Sequence, residues 1–163
     1  MRILPLLLVV AACGYQPVRG GEKLAVVLSS SNVPDAAVSD EVVVGMREEL
    51  AKADSLASGD AYPRCEIEVL RADESSEGIG DVNGVPNARA TRVGIIARAW
   101  VVRAKDGPRE RDTGDVRAME TVSTALDAKS ATFRYSDALK SASRRAGHRL
   151  GARVIGLPSA SDD

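Results

Sequence analysis

The sequence predicts an α+β fold: a two-layer αβ sandwich, ordered β-α-β-β-β-α, with two helices packed on one face of a mixed four-stranded sheet. Three observations carry that expectation. Two segments place apolar residues in steps of three and four, which gathers them on one face of a helix. Residues 65–72 (CEIEVLRA) alternate apolar and polar, the period of a strand buried on one side. Elements with a single face to bury are satisfied most economically in two layers around one core. Aromatic residues make up only 3% of the chain, so that core must be built from Val, Leu, Ile and Ala.

The elements follow in order. Residues 14–23 (GYQPVRGGEK) read as a tether, since Pro17 and the Gly20-Gly21 pair break regular structure. Leu24–Leu28 (LAVVL) is a short apolar run that fits a strand buried on both faces, and Ser29–Pro34 turns the chain. From Asp35 to Ala57 the apolar positions are Val38, Val42, Met46, Leu50, Ala53 and Ala57, a helical stripe. Asn32 or Asp35 can cap it, and Ser58-Gly59-Asp60 ends it. In the strand at 65–72, Cys65, Ile67 and Val69 face one way, Glu66 and Glu68 the other. Residues 73–88 hold three glycines, a proline and four acids without periodicity, and read as a long loop.

Residues 90–104 form the longest strand candidate. Val93, Ile95, Ala97, Ala99 and Val101 share one face; Arg92, Ile96, Arg98, Trp100 and Val102 share the other. Lys105–Gly114 is a polar turn with a hairpin signal at Asp106-Gly107. A weaker strand follows around Asp115–Val122, and 123–134 reads as loop. Ser136 then caps a helix to about Ile155, with Leu139, Ala142, Ala146, Leu150 and Val154 on one stripe. Gly147 and Gly151 each weaken that helix by roughly 1 kcal/mol relative to Ala. The domain spans 24–157, and 158–163 (PSASDD) reads as a disordered tail.

The first residues carry a different message. Met1-Arg2 is a short basic start, Ile3–Val10 an apolar run, and Val10-Ala11-Ala12 closes it with small residues before Cys13. That is the layout of a secretory signal, about half the length a spanning helix needs. Together with Cys13 it resembles the bacterial lipobox, which implies cleavage after residue 12 and lipid on the Cys13 thiol. The alternative is an ordinary secreted protein with a chance cysteine. Each buried lipid CH₂ contributes roughly 0.8 kcal/mol, so two or more chains hold stably. Gly14 follows in place of the Asp that retains such lipoproteins in the inner membrane, which favours the periplasmic leaflet of the outer membrane.

Composition excludes several classes. The formal net charge of −1 gives no global basic field, and with so few aromatic rings there is no base-stacking platform, so nucleic acid is not an expected partner. With Cys13 taken by lipid, Cys65 has no partner in the chain and reads as a small buried hydrophobe rather than a reactive thiol. One His and two Cys leave no metal site of nitrogen and sulfur ligands, and no cofactor is expected. There is no G-x-S-x-G, phosphate-cradling glycine loop or H-E-x-x-H, and His148 stands among cations with no carboxylate at helical spacing. No catalytic residue is assigned, and the chain is not expected to be an enzyme.

A lipobox, then Cys13-Gly14-Tyr15, a short Gly-containing tether and β-α-β-β-β-α in about 150 residues resembles the LPS-assembly lipoprotein (LptE) family over nearly the whole mature chain. The resemblance rests on element order, length and the CGY start. It implies a lipoprotein seated in the lumen of an outer-membrane β-barrel translocon, assisting its folding and contacting lipopolysaccharide. The acidic loop 73–88 and the scarcity of aromatics depart from that pattern. Other lipoprotein adaptors remain as alternatives, such as an accessory to a lipid-transport ABC system or a secretin pilot, as does a small-ligand-binding lipoprotein.

Two basic sets are candidate contacts. Arg92, Arg98, Arg103, Arg109 and Arg111 flank or lie on the long strand, and Arg92, Arg98 and Trp100 would share the sheet face opposite the helices. Charge plus an amphipathic ring suits a phosphorylated glycolipid; a sheet face merely solubilised by arginines fits as well. Lys140, Arg144, Arg145, Arg149 and Arg153 form a basic face on the last helix. It faces an anion, or it is a solvated polar face whose last-turn cations suit the helix dipole, the reading its spacing favours.

Overall fold

A computed structural model describes residues 21–78, 81–82, 85–86, 89–123 and 128–158. The leader, Cys13, Gly14, the first part of the tether and residues 159–163 lie outside them. The elements are β1 (Ala25–Ser31), α1 (Ala36–Lys52), β2 (Arg64–Gly78), β3 (Asp81–Val82), β4 (Val85–Pro86), β5 (Arg89–Val102), β6 (Val116–Ser123) and α2 (Ala128–Val154). The main sheet has the order β1-β2-β5-β6, parallel between β1 and β2 and antiparallel elsewhere, and β3 pairs with β4 alone. The main sheet is mixed and four-stranded, with β-α-β-β-β-α connectivity apart from the small β3–β4 pair, and the fold is α+β as predicted.

The core sits where the two periodicities put it. Cys65, Ile67, Val69, Val93, Ile95, Ala97, Ala99 and Val101 are fully buried, together with Val42, Met46, Leu50, Ala146 and Leu150 from the helices. Asp35 caps α1, its carboxylate accepting the Ala37 N–H at 2.9 Å.

Four expectations need correction. The run 24–28 is not buried on both faces: Leu28 is 39% exposed, because β1 is an edge strand and its ladder shifts between Leu28 and Ser30. α1 stops at Lys52, not near Ala57. Asp54 takes a left-handed conformation (φ 51°), and the chain turns back so that Ser55 O accepts the Leu24 N–H at 2.8 Å. The stretch 73–88 is not one loop, since β2 runs on to Gly78 in register with β5 and the β3–β4 pair follows. The alternation was lost there because β2 slips at Leu70, between Val69 and Arg71, and because Glu74 and Ser75 both remain exposed beyond the end of β1. Finally, α2 begins at Ala128, two turns before Ser136. Those turns carry no apolar stripe, Phe133 being 62% exposed.

The two helices meet backbone to backbone. A Cβ added at Gly147 would lie 2.1 Å from Val42 O and 2.7 Å from Met46 N; one at Gly45 would lie 2.0 Å from Arg144 O. The glycines that weaken an isolated helix are the points of closest interhelical approach.

Candidate functional site

The sheet face turned away from the helices carries the candidate residues. Two direct cross-strand pairs organise it, Glu66 opposite Trp100 and Glu68 opposite Arg98. Trp100 Nε1 donates to Glu66 Oε2 at 3.1 Å, while Arg64 donates to Glu66 Oε1 from Nε at 3.1 Å and Nη2 at 2.7 Å. Arg98 grips Glu68 Oε2 through Nε at 2.8 Å and Nη2 at 2.7 Å. These hydrogen bonds to carboxylates hold the pKa values of Arg64 and Arg98 above the usual guanidinium value.

Trp100 is buried, with 2% of its surface exposed. The guanidinium carbon of Arg109 stands 3.8 Å above its ring centroid and that of Arg98 6.0 Å away. Arg109 is delivered by the loop after β5, which turns at Asp106-Gly107 and then pairs Glu110 with Val101 in both directions, at 2.7 and 2.8 Å. Thr113 continues along Ala99, its N–H donating to Ala99 O at 2.9 Å and its hydroxyl accepting the Ala99 N–H at 3.0 Å. The strip of Ile96, Trp100 and Val102 is therefore covered from within the chain, all three being buried.

Arg103 and Arg111 are not part of this face; they gather at Glu22, and Arg111 lines a hollow with Ser55 and the C-terminal end of α2. Arg103 pairs with Glu22 and with Glu110 at 2.8 Å, and Arg111 stands 3.8 Å from Glu22. The hydrogen bond to Glu22, and then that to Glu110, pushes the pKa of Arg103 up. Arg92 is exposed on the outer face between Ser75 and Thr121 of the neighbouring strands. Arg117 joins the same face, 3.3 Å from Asp73. Sequence reasoning missed Arg117; its place two residues before Met119 on the outer side of β6 was the available signal.

The basic residues of α2 separate into two working sets. Arg145, Arg149 and Arg153 lie along the free edge of β6 and donate to its backbone: Arg145 to Met119 O at 3.5 Å, Arg149 to Arg117 O at 2.6 Å, and Arg153 to Asp115 O at 3.5 Å and Thr113 O at 3.2 Å. The periods match. Four helical residues rise about 6 Å and two strand residues about 6.7 Å, so each helical step meets the next outward carbonyl. The ladder satisfies an edge that would otherwise be open to another chain. On the α1 side, Arg144 pairs with Glu41 at 2.9 Å, and His148 stands between Glu48 at 3.1 Å and Glu49 at 3.1 Å. The carboxylates that its own helix does not offer His148 come from α1. Lys140 lines the same shallow cleft as Glu41 and Arg144.

Cys65 lies in the core, and burial pushes its thiol up to about 12. A raised acid pKa keeps the neutral thiol at all ordinary pH values. In a variant with Cys13 replaced by Ser, Cys65 is expected to stay unlabelled by a disulfide-exchange reagent at pH 8 until denaturant is added. Rapid labelling of the folded chain would show the site to be open. Among the described residues no group of His, Cys, Asp and Glu is placed to hold a metal ion, and no helix is long and apolar enough to cross a membrane.

No protein-family model and no curated protein matches this chain. Among solved structures it is similar to a minor lipoprotein from Acinetobacter baumannii, with a TM-score of 0.53 and 12% identity over 85% of this chain and 98% of that one. It also matches the rare lipoprotein B from Shewanella oneidensis, with a TM-score of 0.46 and 12% identity over 77% of this chain and 89% of that one. The first of these shows a shared fold that takes in almost the whole of the Acinetobacter chain.

Proposed function

We propose that this chain is a lipid-anchored, non-enzymatic lipoprotein of the outer membrane that assists lipopolysaccharide transport as the partner of a β-barrel translocon. The observation that carries the reading is the outer sheet face. Arg64, Arg71, Arg92, Arg98, Arg109 and Arg117 gather there among Glu66, Glu68 and Asp73, over a buried strip of Ile96, Trp100 and Val102. A face with cationic forks above apolar residues suits an amphipathic, phosphorylated ligand. The lipobox at Cys13 supports the anchor, and so does the fold shared with a structure described as a lipoprotein. From Cys13 to Gly21 the tether reaches at most roughly 28 Å, which keeps the sandwich at the membrane surface.

In this reading the lipid fixes the protein to the periplasmic leaflet, the sandwich seats in the barrel, and the arginines exchange phosphate contacts with the passing glycolipid. A mild-detergent pull-down of the full-length lipoprotein from its native outer membrane tests it. A stoichiometric translocon barrel is the expected partner, whereas ABC-transport or secretin components, or no stable partner, overturn the reading. Arg92→Glu combined with Arg98→Glu is expected to weaken glycolipid binding about tenfold or more while the domain stays folded. Unchanged binding would remove the sheet face from the mechanism.

A further inference from the structure

Residues 103–115, the segment that carries Arg109 over Trp100, form a strap between β5 and β6, and one carboxylate outside the sandwich holds it at two points. Glu22 Oε1 accepts from Arg103 Nη1, and its Oε2 stands 3.8 Å from Arg111 Nη2, so each oxygen engages one arginine. Arg103 is the first residue of the strap and Arg111 lies near its end. Glu22, 81 residues before Arg103 in the chain, ties the two together at the root of the tether. We propose that Glu22 is a latch between tether and strap, such that drawing the tether off the domain releases the strap and uncovers Trp100. The inference uses the lipid anchor at Cys13 proposed above, but neither the identity of the protein partner nor any ligand of the sheet face.

Glu22 is placed to move without the sheet. The sandwich first grips the chain at Leu24, whose N–H donates to Ser55 O at 2.8 Å and whose carbonyl accepts the Ala57 N–H at 2.9 Å. Only Lys23 lies between that fixed point and Glu22, and its contact is an exposed ion pair with Asp54. Rotation about the soft backbone dihedrals of residues 22 and 23 therefore carries the carboxylate away while β1 keeps its register. The side chains of Arg103 and Arg111 are nearly half exposed, at 44% and 46%. Ion pairs so open to water are weak, which makes the latch reversible.

The strap is strained where the latch grips it. Arg111 holds a left-handed backbone (φ 48°), a conformation that residues with a side chain rarely take. Such a residue persists where its surroundings over-determine it. Here Glu22 draws Arg111 toward the tether, while its neighbour Glu110 pairs with Val101 and Arg109 lies 3.8 Å above the Trp100 ring. The far end is fixed by Thr113, which bonds Ala99 and whose carbonyl accepts from Arg153 at 3.2 Å. Without Glu22, Arg111 is free to relax into the extended region, and the stretch before it lifts with Arg109. The indole keeps its bond to Glu66 at 3.1 Å, so the cover of the ring changes and its position does not.

The test reads acrylamide quenching of Trp100, the single tryptophan, in the full-length lipoprotein in mild detergent. Glu22→Gln keeps the size of the side chain and removes the charge that holds both guanidiniums. It is expected to raise the quenching constant about twofold or more with little change in Tm. Lys23→Gln breaks the neighbouring pair with Asp54, outside the latch, and is expected to leave quenching at the wild-type value. Arg109→Ala removes the cover itself, so Glu22→Gln added to it is expected to change nothing further. Coupling is reciprocal: Arg109→Ala, made at the Trp100 ring, is also expected to speed trypsin cleavage after Lys23 about twofold or more. Wild-type quenching in Glu22→Gln, an equal rise in Lys23→Gln, additive effects in the double variant, or unchanged cleavage in Arg109→Ala would each overturn the latch. A working latch without a translocon in the pull-down would leave the strap standing and remove the transport reading; a translocon with an inert latch would do the reverse.

Discussion

Gly147→Ala is expected to lower the melting temperature by about 5–10 °C, the opposite of what helix propensity alone dictates. In an isolated helix the change favours folding by roughly 1 kcal/mol. Here the new methyl meets Val42 O at 2.1 Å, Met46 N at 2.7 Å and Gly45 Cα at 3.0 Å. All three are backbone atoms, so no side chain can swing aside and the helices must part by roughly 1 Å. Overpacking of this kind costs about 1–3 kcal/mol and more where the neighbours are rigid. Separating α1 from α2 also disturbs the Arg144–Glu41 and His148–Glu49 contacts that bridge them. A domain of this size loses about 2–4 °C per kcal/mol. Thermal melts followed by far-UV circular dichroism decide the matter, with Gly45→Ala expected to behave alike. An increase in melting temperature would show that the backbones do not touch.

Trp100→Ala is expected to cost about 3–5 kcal/mol, the loss typical of a large aromatic removed from a filled site. The ring lies under Arg109 at 3.8 Å and donates to Glu66 at 3.1 Å, so its removal empties a covered space and leaves Glu66 to Arg64 alone. Trp100→Phe keeps most of the apolar surface but not the indole N–H, and is expected to cost about 1–2 kcal/mol. Denaturant titrations of the three proteins measure both steps. A loss under 1 kcal/mol in Trp100→Ala, together with weakened glycolipid binding, would make the ring a ligand contact rather than a structural one. Trp100 is the single tryptophan of the chain, so its fluorescence also reports the cover directly. Arg109→Ala is expected to shift the emission to longer wavelength without unfolding the domain.

Much of the fold was legible because burial on one face imposes a period. The stripe Val38, Val42, Met46, Leu50 and the alternation Cys65, Ile67, Val69 each mark a single buried surface, and all seven residues are buried. Legibility failed where an element has no such surface. In the far part of β2 Glu74 and Ser75 are both exposed, and in the first two turns of α2 Tyr135 packs on the core while Phe133 is exposed, so neither segment carries a buried stripe to read. The end of α1 was missed for a different reason. Ala53 and Ala57 keep the spacing but bury little, and the return of Leu24 to Ser55 outweighs them.

The candidate site was legible only in parts. Spacing identified the basic positions on α2 and the shared face of Arg92, Arg98 and Trp100. It could not assign Arg145, Arg149 and Arg153 to β6 carbonyls, because their partners lie 26, 32 and 38 residues away in sequence. Nor could it place Arg117 opposite Ile96 on the outer face, which depends on the register of β6 against β5.

The sequence by itself determined the class of fold and the buried stripes of α1, of α2 from Leu139 onward, and of the strands at 65–69 and 93–101. All of these are encoded in the order of residues along one element or one short segment. The tertiary structure decided which cations meet carboxylates and which seal a strand edge. It also turned Gly147 from a weakness of a single helix into a contact between two, where it meets the backbone of Val42, Gly45 and Met46. The reason is one of distance. Local periods are set by neighbours a few residues apart, whereas charge pairing and close packing depend on atoms that only folding brings within a few ångströms.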